Sequence, residues 1–139
     1  MLTQQRLRNL LLRPRHLQPR LLRARPKHSM ESPRRIWRAV VTGDSMEPAL
    51  RAGDRLLVLP AGERGLPGLR GLPPLGSIVV VEREGRLEVK RVARPPDGTP
   101  ERTLWLLGDN PARSTDSRQF GALPLSALRA RVVWRSGAR

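Results

Sequence analysis

Cysteine is absent from this chain of 139 residues, so neither a disulfide nor a thiolate metal site can form, and the redox compartment is left open. Histidine is almost absent: His16 and His28 both lie near the N-terminus, which argues against a histidine metal cluster and removes the usual partner of a nucleophilic serine from the rest of the chain. Three Trp, one Phe and no Tyr are a poor supply of rings for stacking nucleic-acid bases. No apolar run approaches the roughly 18 to 20 residues of a membrane span. Leu10-Leu11-Leu12 is too brief for the apolar region of a secretory signal. No long helical period is visible either.

Positive charge, by contrast, is abundant: 27 Lys+Arg against 12 Asp+Glu, a formal +15. Such an excess raises the possibility of a nucleic-acid or anionic-membrane partner. Its distribution weakens that reading. Residues 1–29 hold Arg6, Arg8, Arg13, Arg15, Arg20, Arg23, Arg25 and Lys27 with no acid, so +8 of the +15 sits in one short segment. That segment is Leu/Arg-rich, broken by Pro14 and Pro19, and reads as a disordered or weakly helical basic tail over 1–35. Three origins fit it: a membrane- or nucleic-acid-binding tail, an Arg-rich presequence short of serine, or a start assigned upstream of the true one at Met30. The compact pattern that begins right after Met30 favours the last.

From Ile36 the pattern is β, giving one domain over 36–136 and a short tail at 137–139. Strands are expected at Ile36–Val41, Asp54–Leu59, Gly76–Glu82, Leu87–Val92, Leu104–Leu107 and Ala130–Trp134. Glu84-Gly85-Arg86 reads as a hairpin turn, and Pro124–Leu128 as a single helical turn. Residues 60–76 carry three G-X-Y triplets, too few for a collagen helix, and read as an extended polyproline-like loop. About 100 residues of mainly antiparallel β structure can bury a sufficient core.

Two residues stand out against this background. Of the 27 basic residues 25 are Arg, and after Met30 the only Lys is Lys90, in the strand LEVKRV. Arg stays protonated in practice, whereas a desolvated Lys can lose its proton. A single codon that escaped an Arg bias would explain Lys90 as well, and strand alternation leaves it facing inward or outward. The second residue is Ser45 in GDSMEPAL. A serine hydroxyl needs a base to become nucleophilic, and Ser–Lys pairs are an alternative to the Ser-His-Asp triad. Keeping a lysine neutral near pH 7 against its ordinary value of about 10.4 costs about 4 kcal/mol, which burial can supply. A third cluster, GDNPARSTDSRQFG from Gly108 to Gly121, is either a polar loop with an Asp116–Arg118 pair or the rim of a site offering Asp109, Ser114 and Asp116.

Ser45 in GDSMEPAL, Lys90 in LEVKRVAR and the GDNPARSTDSRQFG loop, in that order, resemble the Ser/Lys signal-peptidase family, the clan of type I signal peptidases and LexA-type repressors. The resemblance covers roughly Val40 to Trp134. It implies a mainly β, antiparallel signal-peptidase-like fold with little helix, Ser45 as nucleophile, Lys90 as general base, and no cofactor. It further implies that Ser114 orients the lysine amine, that Asp116 and Arg118 support the site, and that Asp109 pairs with Arg91. The backbone N–H of Ser45 would bind the oxyanion. Some members add a serine hydroxyl where this chain has Gly43, and Met46 would line a shallow pocket for small residues beside the cut.

Asn110 is followed by Pro111 where the family usually has Arg, and no membrane anchor precedes Ser45. In these respects the chain looks most like the nickel-type superoxide dismutase maturation proteases, which trim the N-terminal extension of a cytoplasmic precursor. The expectation is therefore a cytoplasmic endopeptidase acting on a precursor protein. One alternative is a signal peptidase of exported preproteins, membrane-associated through weak contact of the Arg-rich tail with anionic lipid. A self-cleaving repressor would need an Ala-Gly upstream of Ser45, and residues 1–44 have none. A basic nucleic-acid-binding module is the reading from charge alone, and nucleic acid is not expected as a partner. Oligomeric state is left open.

Overall fold

The computed structural model describes residues 35–137. The Arg-rich segment with its alternative start at Met30, and residues 138–139, lie outside the described residues.

The described chain forms one seven-stranded antiparallel sheet with very little helix, the mainly β architecture expected. Its strands are β1 (Trp37–Val40), β2 (Arg55–Pro60), β3 (Ile78–Arg83), β4 (Arg86–Ala93), β5 (Thr103–Leu107), β6 (Leu123–Pro124) and β7 (Leu128–Ser136). In space they run β1-β2-β7-β3-β4-β5-β6, so the last strand is inserted between β2 and β3 and joins the two halves. One helical turn, α1 (Ser117–Phe120), and two 3-10 turns at Pro111–Arg113 and Leu125–Ala127 complete it.

Strand alternation divides the core between the two faces of the sheet. Trp37, Ala39, Leu56, Val58, Val80, Val89 and Ala130 form one cluster, joined by Met46 and Leu50. Val79, Val81, Val92, Leu104, Leu106, Leu125 and Leu128 form the other, with Ala61 and the half-buried Leu69. The run Val79-Val80-Val81 therefore serves both clusters, which is why it reads as continuous rather than alternating hydrophobicity. Burying each such side chain is worth about 1.5–3 kcal/mol. The β3–β4 hairpin closes in two residues: Arg83 faces Arg86, while Glu84 and Gly85 take φ of 54° and 78°, the left-handed pair such a turn needs.

The expected strands all occur, with ends displaced by a residue or two. Two expectations are corrected. Residues 60–76 are not an extended polyproline-like loop; the segment folds back on itself, with Gly62 N–H donating to Leu69 O at 2.8 Å and Leu66 N–H to Pro60 O at 3.1 Å, so that Leu69 packs on the second cluster. The GDNPARSTDSRQFG segment is more than a polar loop, since it contains α1, capped by Asp116 and Gln119. Among the described residues, no helix is long and apolar enough to cross a membrane.

Candidate active site

Lys90 faces inward. Its strand neighbour across the β3–β4 ladder is Val79, and Glu88 stands opposite Val81, so both charged side chains share the face of the second apolar cluster. Lys90 and Glu88 are each 1 % exposed. Burying an ionisable amine this deeply is costly unless it is hydrogen-bonded, and Lys90 Nζ donates to Ser114 Oγ at 3.2 Å.

Ser114 is itself held. Its hydroxyl donates to Asp116 Oδ2 at 2.9 Å, which leaves the oxygen lone pairs to receive the lysine N–H. Asp116 is completely buried and is the best-served carboxylate of the site. Oδ2 also accepts from Gly108 N–H at 2.8 Å and Arg118 Nη2 at 2.7 Å. Oδ1 accepts from Arg118 N–H at 3.2 Å and Nε at 2.9 Å. Burial pushes the Asp116 pKa up, but the hydrogen bonds from Arg118, Gly108 and Ser114 outweigh it and hold the carboxyl below its ordinary range. Asp116 is thus a fixed anion whose position is set by α1, whose first turn it caps.

Ser45 approaches the same loop from a distant part of the sequence. It sits in a turn opened by Gly43, whose φ of 83° favours glycine. Asn110 clamps this turn. Its backbone N–H donates to Ser45 O and its Nδ2 to Asp44 O, both at 3.0 Å, while Arg113 pairs with Asp44 at 3.1 Å. Gly108 explains the closeness of the approach. A Cβ there would run into the Ser114 side chain and lie 2.9 Å from Ser45 O, so only glycine lets the two segments meet. Ser45 is 4 % exposed. Segment 108–114 is accordingly the common neighbour of Ser45 and of the Lys90–Ser114 pair.

Arg91, on the opposite face of β4 from Lys90, makes a two-pronged pair with Asp109, Nε–Oδ1 at 2.9 Å and Nη2–Oδ2 at 2.8 Å, which ties β4 to the start of the loop. Met46 departs from expectation. It is packed in the first core cluster, 2 % exposed, rather than lining an open pocket, because Met46 O accepts the Leu50 N–H and the turn winds its side chain inward.

The sequence reading missed several residues that build this site. Asn110, Gly108 and Glu88 are given no role there. Glu88 had a usable signal, since it lies two residues before Lys90 and must share its face. It is paired with Arg83, Nη2–Oε2 at 2.9 Å and Nε–Oε1 at 3.3 Å. The Phe120 ring lies 4.1 Å from the Arg83 guanidinium carbon. Burial, the largest influence, raises the Glu88 pKa, and Arg83 pulls it only part of the way back.

Comparison with known proteins agrees with this geometry over part of the chain. Residues 89–136 match the family model described as signal peptidase, peptidase S26. That span is about a third of the chain; it includes Lys90, Ser114 and Asp116 and begins downstream of Ser45. None of the curated proteins compared matches the sequence. A buried serine–lysine hydrogen bond inside the matched span fits the serine–lysine chemistry of that family. Over residues 89–136 the chain is similar to the signal peptidases of the peptidase S26 family, and it is a serine peptidase of the serine–lysine type.

Proposed function

We propose that Ser45 is the nucleophile and Lys90 the general base of an endopeptidase that removes an N-terminal extension from a precursor protein. The observation that carries this reading is the buried Lys90–Ser114–Asp116 chain of hydrogen bonds beside the clamped Ser45 turn. A neutral amine has two N–H groups and one lone pair. Donating one N–H to Ser114 leaves the lone pair to be aimed at the Ser45 hydroxyl.

In the reaction, Lys90 Nζ takes the Ser45 proton as Oγ attacks the scissile carbonyl carbon. The tetrahedral oxyanion forms against the Ser45 backbone N–H. Collapse breaks the C–N bond, and the ammonium of Lys90 returns the proton to the leaving amine. Water then attacks the acyl-enzyme, with Lys90 again removing the proton, and the serine is regenerated. Asp116, Arg118 and the Arg91–Asp109 pair position this machinery without touching the substrate.

The substrate we propose is the cytoplasmic precursor of a nickel-type superoxide dismutase. Support comes from GDNP-x-x-STDSR-x-FG at 108–121 and its likeness to the maturation proteases of that enzyme. A second reading, processing of exported preproteins, is favoured by the description of the matching family as signal peptidases. Mass spectrometry of each precursor incubated with the protein separates them: cleavage of the dismutase precursor alone supports the first, cleavage of the exported preprotein alone the second. Ser45→Ala and Lys90→Arg should each lower cleavage by about a thousandfold or more while leaving the circular dichroism spectrum unchanged. Full activity in Lys90→Arg would exclude Lys90 as the base.

A further inference from the structure

The Arg83–Glu88 pair needs an explanation that the fold does not provide. An ion pair on an apolar sheet face is commonly no more stabilising than well-packed hydrophobic residues, and here it occupies the same face as Lys90, two residues along β4. A lone carboxylate at that spot would pair with the lysine and hold its proton, the opposite of what a general base requires. Arg83 prevents this by engaging both carboxylate oxygens. Phe120 in turn holds the guanidinium by a cation–π contact. Phe120 ends α1, the helix capped by Asp116, so a closed circuit runs Lys90–Ser114–Asp116–α1–Phe120–Arg83–Glu88 and back along β4 to Lys90.

We propose that Arg83, Glu88 and Phe120 are positioning residues for Lys90: an internally neutral ion pair, gripped by an aromatic ring, whose cation offsets the carboxylate beside the lysine so that the amine can give up its proton. The inference rests on Lys90 being the base. Lys90 is among the charges that Glu88 feels, together with Arg83 and Glu84. Arg83 also makes a longer contact, 3.4 Å, with Glu84, whose side chain is largely exposed and so screened by water; the other charges around Lys90 are balanced or further away. Asp116 reaches it through Ser114 and is paired with Arg118. Arg91 and Asp109 pair on the opposite face of β4, and Asp44 pairs with Arg113 on the Ser45 turn. Arg131 of β7 stands on the same face across Val79. Glu88 and Arg83 are the charged pair that shares the face immediately beside the amine.

The chain makes the test direct, because Lys27 and Lys90 are its only lysines. Protein labelled with 13C at lysine Cε gives two side-chain signals, and Lys90→Arg identifies the one from Lys90. Glu88→Gln leaves an unbalanced cation and should lower the pH at which Lys90 titrates; Arg83→Gln leaves an unbalanced anion and should raise it, each by about one pH unit. The double variant Arg83→Gln/Glu88→Gln should return close to the wild-type value. Should a single variant fail to fold, Phe120→Leu keeps every charge but loosens Arg83, and should move the titration upward by a smaller amount. Opposite shifts that cancel in the double variant are expected only of charge compensation. A Lys90 titration unmoved in the single variants, or in Phe120→Leu, would overturn the proposal. A wild-type Lys90 that stays protonated well above neutral pH would overturn the dyad itself, so the two failures are distinguishable.

Discussion

Two buried carboxylates flank Lys90, and they behave oppositely. Asp116 is on the loop side, capping a helix, and receives two backbone N–H groups, the Ser114 hydroxyl and an Arg118 fork. Glu88 is on the strand side, where the backbone groups of β4 are committed to the ladder, and its side-chain hydrogen bonds come from Arg83. Both are desolvated. Asp116 is nevertheless held below its ordinary pKa and Glu88 stays above its own. Burial is the largest single influence on both; the several donors around Asp116 together outweigh it, and Arg83 beside Glu88 does not. The loop side thus provides a rigid anion that positions Ser114, and the strand side a pair whose charge is adjustable.

Several substitutions would break or sharpen this contrast. The largest effect is expected on the loop side. Asp116→Ala removes the acceptor of four groups at once and should cost about 3 kcal/mol in urea unfolding, with peptide cleavage down by about a hundredfold or more as Ser114 and Lys90 lose their anchor. Gly108→Ala drives a methyl group into Ser114 and the Ser45 carbonyl; it should cost about 1–3 kcal/mol and depress kcat more than KM, since the two halves of the site can no longer approach.

The two carboxylates should also separate by pH. Because the Asp116 pKa is lowered on folding, its stabilisation is present above the ordinary aspartate range and is lost as pH falls through that range toward the folded value. Because that of Glu88 is raised, stability declines as pH rises from the ordinary glutamate range through the folded value. Unfolding curves of Asp116→Asn and Glu88→Gln measured across acid pH should therefore diverge from wild type with opposite slopes, and parallel slopes would refute the contrast. Smaller still, Gly43→Ala forces a side chain into a φ of 83° and should cost about 1–2 kcal/mol. Arg129→Ala, which breaks a partly exposed pair with Glu82, should change stability by less than about 1 kcal/mol.

The fold was legible because β-branched runs and turn residues alternate plainly, and the strands appear close to where Val79–Val81, LEVKRV and LWLL place them. Ser45, Lys90 and Ser114 stood out by residue type: a serine without histidine, a lysine among arginines. The approach of the Ser45 turn to the loop that holds Ser114 did not follow from spacing. It depends on Asn110 bonding a turn more than sixty residues upstream and on the missing Cβ of Gly108, both facts of tertiary approach. The inward face of Lys90 was undecided because β4 is covered on both sides, so alternation alone assigns neither. Met46 was misjudged because a methionine beside a turn serine fits a pocket wall and a core equally well.

The most direct measurement is the titration of Lys90 in the wild-type protein by 13C NMR of its Cε, its signal assigned by comparison with Lys90→Arg. The account predicts an amine that loses its proton far below the ordinary lysine range and is substantially neutral at neutral pH, poised to deprotonate Ser45. An amine that remains fully protonated until the ordinary lysine range would contradict it.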